Sequence, residues 1–434
     1  MSLRDKSISG VKWTTVSTIV VALASLLKVS VLARFLSAGA FGLMALVNFV
    51  LGFMKLFMDA GLTTAILHKQ DITLKEYASL YWINVLISLA LFIAVTLSSS
   101  LIAGFYEEPE LSTLIPLMSL SIVFAALGNQ FKTIEQKQLN FRYLAFVDIS
   151  AALVSLVLGI ILAIKGFGVY SLVYAGLAKF AVSYIVYFVK GFNDHGMIFY
   201  FSYNKARPFL GIGIYQVGGQ IVNYFNKNLE VLLIGKFLGS DALGAYDLAK
   251  QLVKRPKSIL NPVITKVASP VLSFVQNDKV QLKNKFLKFL NFVSTANFTV
   301  YILIALFAYP IVYFVYGPDF LNIVFVVQVL CLYMYLRSIG NPIGSLVVAT
   351  GRTDVEFYWN LFVLSIVPIP IFIGAQFSIE VVAISLTFLM VLLSILSWKY
   401  LVNKLSNASF KEYILSLRPR WQRIYKIVLS EISK

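Results

Sequence analysis

Long, nearly uncharged apolar runs dominate this chain of 434 residues. They recur from residue 11 to residue 402, and a helix needs about 20 such residues to cross the hydrocarbon core of a bilayer. Hydrophobic residues make up 59% of the chain and charged residues 13%, against about 45–50% and about 25% in a soluble domain. The chain is therefore predicted to be an all-α membrane protein. An ordinary cytosolic enzyme, a disordered chain and a secreted disulfide scaffold are excluded.

The apolar runs predict about 12 transmembrane helices. Helices are favoured over a barrel because barrel strands alternate polar and apolar residues over about ten positions. The predicted spans are 11–33, 40–62, 79–103, 112–131, 143–164, 168–189, 208–234, 242–275, 289–314, 321–349, 355–374 and 379–402. The span at 242–275 carries several charges and three prolines, so we expect it to be kinked or interrupted.

The distribution of basic residues predicts the orientation. The net charge is +17, from 37 Lys and Arg against 20 Asp and Glu. In a membrane protein such an excess is first expected in cytoplasmic loops, so no nucleic-acid partner is predicted. Outside the spans, most basic residues fall in alternate connections and in the tail, while the remaining connections hold only Arg34, Lys165 and Lys236. This asymmetry predicts that both termini are cytoplasmic.

An internal repeat predicts two related halves. Residues 34–46 resemble residues 236–248, with Phe, Leu, Ala, Gly and Leu at a constant offset. Both segments lie between the first and second spans of a block of six. We therefore predict two pseudo-symmetric six-helix lobes, 1–200 and 201–405, around a central cationic cavity. An even number of spans per half gives both lobes the same orientation, as in transporters built from parallel repeats.

The basic tail, 406–434, forms a third predicted segment. Its apolar residues between Trp421 and Ile432 fall on one helical face, with Arg and Lys elsewhere. Such a helix lies on the inner leaflet against membrane lipids. A packed terminal helix is the alternative.

Ionisable and amide side chains inside the predicted spans identify the candidate site. Each charge at a helix centre costs about 2.5–3.5 kcal/mol on an insertion scale, so a group of them is expected to face a wet cavity. The polar faces of spans one and two superpose on those of spans seven and eight at the repeat offset. The candidates for substrate binding are Lys28, Asn48, Lys55, Gln216, Gln220, Asn223, Lys227, Lys250, Lys254, Arg255, Lys257 and Asn261. Lys179 and Lys266 are assigned to snorkelled or paired side chains outside this group.

An excess of bases over acids in this set predicts an anionic substrate. Phosphate or pyrophosphate suits Lys as a point charge and Arg as a bidentate donor. The acids Asp59, Glu230 and Asp247 are candidates for ion coupling to a proton or sodium gradient. Alternatively, Asp59 and Glu230 pair with Lys55 and Lys227, each one helical turn away. No other cofactor is predicted.

Several segments resemble polysaccharide transporters of the Wzx type, in the branch of colanic-acid and teichuronic-acid exporters. They are Ser9–Trp13, Leu32–Leu36 followed by Phe41-Gly42, Phe57–Leu62 and Gln136–Arg142. The resemblance implies a non-enzymatic flippase in a bacterial plasma membrane. Its substrate would be an undecaprenyl-pyrophosphate-linked oligosaccharide for surface polysaccharide export. Its further partners would be a polysaccharide polymerase and assembly machinery.

Three other readings stay open. An ion-coupled drug or metabolite antiporter of the same fold would need acidic or aromatic groups that face a cationic substrate, whereas this candidate site is basic. A membrane glycan polymerase or ligase usually carries catalytic groups on an outside loop, and the predicted outside loops are short. The sequence has no Gly-rich phosphate loop, nucleophile elbow or metal signature. A scaffold would leave the intramembrane bases without a role.

Overall fold

The computed structural model describes the backbone of residues 3–59, 63, 66–67, 69, 71–196 and 199–421. Side chains are described over the same residues except 3–7, 59, 203–217 and 258–267. Within this part of the chain every regular element is a helix. Ten of its helical segments are long and apolar enough to cross a membrane, which confirms the predicted fold class.

The first half holds six long helices, one for each predicted span. They are α1 (Leu3–Leu32), α2 (Ala38–Asp59), α3 (Leu74–Tyr106), α4 (Leu111–Lys137), α5 (Phe141–Ile164) and α6 (Tyr170–His195). Local signals set some of their ends. Thr73 and Glu76 form a capping box at the start of α3, where each side chain satisfies a backbone N–H that lacks a helical partner.

The second half begins with the 72-residue helix α7 (Tyr203–Phe274). The helices that follow are α8 (Lys279–Leu306), α9 (Ala308–Tyr316), α10 (Val324–Ala349), α11 (Thr353–Ile366), α12 (Pro368–Gly374), α13 (Ile379–Ser397) and α14 (Phe410–Leu417). A 3₁₀ segment, Pro318–Ile323, precedes α10, and a π-helical segment, Trp398–Asn403, follows α13.

The break in α7 lies at Gly239 rather than at the prolines of the predicted span 242–275. Gly239 has φ 81° and ψ −179°, a conformation that costs glycine little and other residues much. The backbone stays helical through Pro256 and Pro270, so the helix is not interrupted there, and a kink at the prolines stays a prediction. A proline removes one helical hydrogen bond, and neighbouring helices in a membrane protein can compensate for it.

The chain forms two compact units, Met1–Gly244 and Ala245–Lys434. The predicted lobe boundary near residue 200 stays a prediction. In the first unit α4 packs along α3 and α6, and α5 packs along α1 and α6. An aromatic and aliphatic cluster that includes Tyr81, Phe131 and Tyr187 fills the space between these helices.

In the second unit α10 packs along α8 and α13. The end of the described chain packs back against α8 and α10. The amide of Asn291 donates to the carbonyls of Ser416 at 2.9 Å and Arg418 at 2.8 Å. The indole of Trp421 donates to the Thr299 hydroxyl at 2.9 Å. Residues 422–434 lie outside the described residues, so the prediction of a membrane-surface helix there stays a prediction.

Candidate functional site

Lys28 lies one turn before the end of α1 and is half-buried. Its ammonium donates to the Ser155 hydroxyl of α5 at 3.0 Å. Its aliphatic stem passes Gly159, where an added Cβ atom would lie 3.5 Å from Lys28 Cδ. The side chain therefore points into the first unit along α5, and its observed polar contact is with a neutral group.

Lys55 of α2 is also half-buried. Its Nζ lies 4.3 Å from the ring centroid of Phe180 on α6, which is a cation–π contact. The side chain of Asp59, one turn away, lies outside the described residues, so the pairing of Lys55 with Asp59 stays a prediction. Among the described side chains, Lys55 and Lys28 thus both contact neutral partners.

The predicted polar face of α7 lies partly at the surface of the structure. Gln220, Asn223 and Lys227 are exposed, whereas Glu230 is buried with 5% of its surface accessible. Gln216, at the start of this face, lies outside the described side chains. Asn48 on α2 is exposed as well. The polar face is therefore exposed along most of its described length and ends at the buried carboxylate of Glu230.

The first part of α7 packs along α2 in the opposite direction. The Tyr224 hydroxyl donates to the Phe49 carbonyl, and a Cβ atom on Gly52 would lie 2.6 Å from that hydroxyl. Further along, a Cβ atom on Gly235 would lie 2.7 Å from Leu46 Cδ2. Two of the helices predicted to carry the site therefore lie side by side within the first unit.

The two repeat segments cross at their glycines. A Cβ atom on Gly42 would lie 1.8 Å from the Ser240 carbonyl oxygen, and one on Gly244 would lie 1.8 Å from the Ala38 carbonyl oxygen. Gly42 aligns with Gly244 in the repeat, and Ala38 aligns with Ser240. Small residues four apart let helix backbones approach this closely. The reciprocal contact is the one expected from two copies related by an approximate two-fold axis.

Lys236, just before this crossing, pairs with the connection between α3 and α4. Its ammonium donates to the Glu107 carboxylate at 2.9 Å. The hydrogen bond from Lys236 holds the pKa of this exposed carboxyl below its usual range.

The candidates of the second unit differ widely in exposure. Lys250 is buried with 8% of its surface accessible, whereas Lys254 is exposed and Arg255 is half-buried. The Asp247 carboxylate accepts a hydrogen bond from Gln251 at 2.6 Å, one turn along α7. These residues lie on one helix, and their assignment as a binding set stays a prediction.

Lys257 and Asn261 complete the predicted set in this unit. The Lys257 ammonium lies 3.4 Å from the Arg337 carbonyl of α10. The Arg337 guanidinium in turn donates to the Tyr333 hydroxyl at 2.7 Å. The side chain of Asn261 lies outside the described residues.

The structure adds polar contacts that the sequence did not predict. The Asp148 carboxylate of α5 lies 3.5 Å from the Lys132 ammonium of α4 and accepts a hydrogen bond from the Tyr187 hydroxyl at 3.3 Å. Glu135 of α4 lies 2.5 Å from the Lys190 ammonium of α6. These ion pairs join residues that are 16 and 55 positions apart and lie on different helices, so no spacing within one helix predicts them.

The described candidates carry ammonium, guanidinium and amide donors together with the carboxylates of Glu230 and Asp247. Donors of these kinds can hold anionic and polyhydroxylated groups. No group of three or more His, Cys, Asp or Glu within the described part of the chain is close enough to hold a metal ion.

Sequence comparison identifies relatives along most of the chain. Residues 31–325 match a family described as "Polysaccharide biosynthesis protein". The "Lipopolysaccharide biosynthesis protein WzxC" of Escherichia coli K12 is 32% identical over 96% of this chain and 85% of its own length. The "Teichuronic acid biosynthesis protein TuaB" of Bacillus subtilis 168 is 27% identical over 86% of this chain and 78% of its own length.

Structure comparison agrees on the fold. The "Lipid II flippase MurJ, inward closed conformation" superposes with a TM-score of 0.76 at 16% identity, over 93% of this chain and 89% of its own. An inward-facing MATE-family multidrug resistance transporter superposes with a TM-score of 0.66 at 16% identity, over 89% and 94%. The predicted fold class and the resemblance to exporters are confirmed, and the chain belongs to the polysaccharide biosynthesis protein family.

Proposed function

We propose that this protein is a flippase that carries an undecaprenyl-pyrophosphate-linked oligosaccharide from the inner to the outer leaflet of a bacterial plasma membrane. The chain is similar to proteins whose names place them in polysaccharide biosynthesis, including one for teichuronic acid. Its fold matches that of a lipid II flippase. These likenesses support export of a lipid-linked glycan. The charges of the candidate site support a diphosphate, and the undecaprenyl carrier is what the resemblance to exporters of the Wzx type implies.

The contacts of Lys28 and Lys55 are the observation that carries the proposal. Both ammonium groups extend from membrane-spanning helices, and their described partners are the Ser155 hydroxyl and the Phe180 ring. A cation in a membrane span is costly and marks a functional position. A diphosphate would bring negative charge, which neither of these described partners carries, whereas a cationic drug would be repelled.

In this mechanism Lys28 and Lys55 draw the diphosphate into a wet cavity of the first unit. Exposed amides such as Asn223 hydrogen-bond the sugar hydroxyls. The prenyl chain stays in lipid. Alternating access then exposes the head group on the other side. We assign the crossing of Gly42 with Gly244 to a contact that opens and closes in that cycle.

Ligand-dependent thermal stabilisation of the purified protein tests the substrate class. Undecaprenyl-pyrophosphate-linked oligosaccharide is expected to raise the melting temperature, because a ligand that binds only the folded state stabilises it. The stabilisation is expected to shrink in Lys28→Gln and Lys55→Gln and to persist in Lys165→Gln, which removes an exposed lysine. Stabilisation by lipophilic cations instead of the diphosphate lipid would favour the antiporter.

A further inference from the structure

We propose that Lys179 of α6 is a third cation of the diphosphate site, so that Lys28, Lys55 and Lys179 form a three-lysine anion site within the first unit. The inference rests on the proposed function and extends it. It also revises the sequence assignment, which left Lys179 outside the candidate set.

Lys28 and Lys179 lie along the same side of α6. A Cβ atom on Gly159 of α5 would lie 3.5 Å from Lys28 Cδ and 3.1 Å from the Ala175 Cβ of α6. The stem of Lys28 therefore runs through the place where α5 meets α6 at Ala175. Lys179 follows Ala175 by four residues, so it lies on the same face of α6 one turn further along.

Lys55 reaches the same turn of α6 from α2. The Lys55 ammonium lies 4.3 Å from the ring of Phe180, which follows Lys179 directly in the sequence. Lys28 lies near the end of α1, and Lys55 lies near the far end of α2 after the chain has reversed. Helical side chains lean toward the N-terminus of their helix, so these two lysines lean toward each other along the unit.

Electrostatic interaction supports the same grouping. The charge of Lys179 acts repulsively on the charges of both Lys28 and Lys55. Lys179 is half-buried. Its charge is attracted by the Asp148 carboxylate and repelled by the Lys132 ammonium. Asp148 already contacts Lys132 and the Tyr187 hydroxyl. Among the described side chains, Asp148 is thus the carboxylate that interacts with Lys179, and positive charge is in excess among these described groups.

This excess of positive charge favours an anionic ligand. Like charges held together repel more strongly in a low-dielectric interior than in water, and an anion between them removes the repulsion. A diphosphate spreads its charge over two adjacent phosphates, which matches three separated ammonium groups better than a single carboxylate does. Lysines bind phosphate as point charges, without the paired hydrogen bonds of Arg, and so they suit a group that must also be released.

Binding to the full chain in nanodiscs tests the site. The probes are undecaprenyl diphosphate, uncharged undecaprenol and inorganic pyrophosphate, and the variants are Lys179→Gln, Lys179→Arg and the exposed control Lys165→Gln. We expect Lys179→Gln to weaken binding of the diphosphate lipid at least tenfold, while Lys179→Arg stays within threefold and Lys165→Gln is unchanged. Equal affinity of Lys179→Gln and the wild type would overturn the proposal.

The probes separate the two sources of a diphosphate. If inorganic pyrophosphate binds as tightly as the lipid, the site serves a soluble diphosphate, and the three-lysine site stands without the carrier lipid. If pyrophosphate binds more weakly and undecaprenol does not compete, the site serves a lipid head group. Binding of undecaprenol as tight as that of the diphosphate lipid would overturn a charge-based site.

Footprinting of the wild type covers the case in which Lys179→Gln does not fold. An amine-reactive reagent should label Lys179 less in the presence of undecaprenyl diphosphate than in the presence of undecaprenol. Equal labelling overturns the site. Translocation measurements separate the two proposals. If Lys179→Gln flips the lipid at the wild-type rate, the three-lysine site is contradicted and the flippase proposal is not. Lysine-dependent binding without any flipping would support the three-lysine site and contradict the proposal that the protein is a flippase.

Discussion

Gly42 and Gly244 are in reciprocal contact, because each lies against the backbone of the helix turn that carries the other. A Cβ atom on Gly42 would lie 3.0 Å from the Gly244 nitrogen, and one on Gly244 would lie 2.8 Å from the Gly42 nitrogen. The two residues occupy equivalent places in the repeat. The internal repeat is therefore also a structural contact, at the point where the helices that carry the candidate site cross.

Gly42→Ala is expected to destabilise the protein. Its new methyl group would meet the Ser240 carbonyl oxygen at 1.8 Å, and a backbone atom cannot swing aside as a flexible side chain can. Overpacking of this kind costs about 1–3 kcal/mol. The unfolding temperature in detergent measures the effect.

Gly104→Ala is the matched control, because nothing lies within 4 Å of a Cβ atom there. Alanine is favoured over glycine in a helix by about 1 kcal/mol, so this variant should be neutral or slightly more stable. Equal stability of the two variants would mean that the crossing tolerates a methyl group and is not close-packed.

Much of the fold was predictable because it follows from periodic patterns. Apolar length predicted α1 to α6, and the repeat predicted a connection where Gly239 breaks α7. The residues around Lys179 were not predictable in the same way. The repeat offset places Asp148 on Thr350 and Lys179 on Val381, so neither residue has a charged counterpart in the other half. Their role depends on which helices of the first unit touch.

The C-terminal end of the described chain likewise combines a local pattern, which the sequence reveals, with a long-range contact, which it does not. The capping box that begins α14 is a local pattern of Ser409 and Glu412, which the sequence contains. The docking of that segment depends on Asn291, which lies more than a hundred residues earlier. Such a contact needs the packing of α8, and no short-range spacing encodes it.

Glu135→Ala should destabilise the first unit. The Glu135 carboxylate is buried and accepts hydrogen bonds from Lys190 at 2.5 Å and Asn140 at 2.7 Å. Its removal leaves these donors without that partner, at a cost of about 1–3 kcal/mol. Chemical unfolding in detergent measures the change in stability.

Asp194→Ala provides the comparison for Glu135→Ala. Asp194 pairs with the same Lys190 at 2.6 Å but is exposed, and such surface pairs are worth about 0–1 kcal/mol. A larger loss for Asp194→Ala than for Glu135→Ala would contradict the view that the buried contact holds α4 to α6.

Asn291→Leu should release the segment that ends at Trp421. Without the Asn291 amide, the carbonyls of Ser416 and Arg418 lose a buried donor. We expect faster trypsin cleavage after Arg420 in the variant. Asn297→Leu changes a neighbouring buried amide that bonds within α8 to Val293, and cleavage should stay near the wild-type rate. No acceleration in Asn291→Leu would mean that other contacts hold the segment.

Glu412 should make the docking of α14 sensitive to pH. The Lys283 ammonium, at 2.9 Å, and the Ser409 cap lower the pKa of Glu412 to about 2. Since the folded pKa lies below the unfolded value of about 4.3, the ionised carboxylate stabilises the docked state above that value. This contribution is lost as the pH falls toward 2.

Hydrogen exchange in α14 measures this effect. Wild type should be better protected than Glu412→Gln at pH 6, and the difference should disappear between about pH 4.3 and pH 2, the window set by the unfolded and folded pKa values. A difference between the two proteins that is unchanged at pH 2 would contradict the assignment to Glu412.

Translocation in proteoliposomes decides whether the protein is a flippase. Undecaprenyl-pyrophosphate-linked oligosaccharide is placed in one leaflet, and the accessibility of its head group to an enzyme on the other side is followed over time. We expect movement that requires the protein, falls at least tenfold in the Lys28→Gln, Lys55→Gln double variant and persists in Lys165→Gln. Movement that is absent with an imposed ion gradient and a folded protein, or equally fast in the double variant, would contradict it.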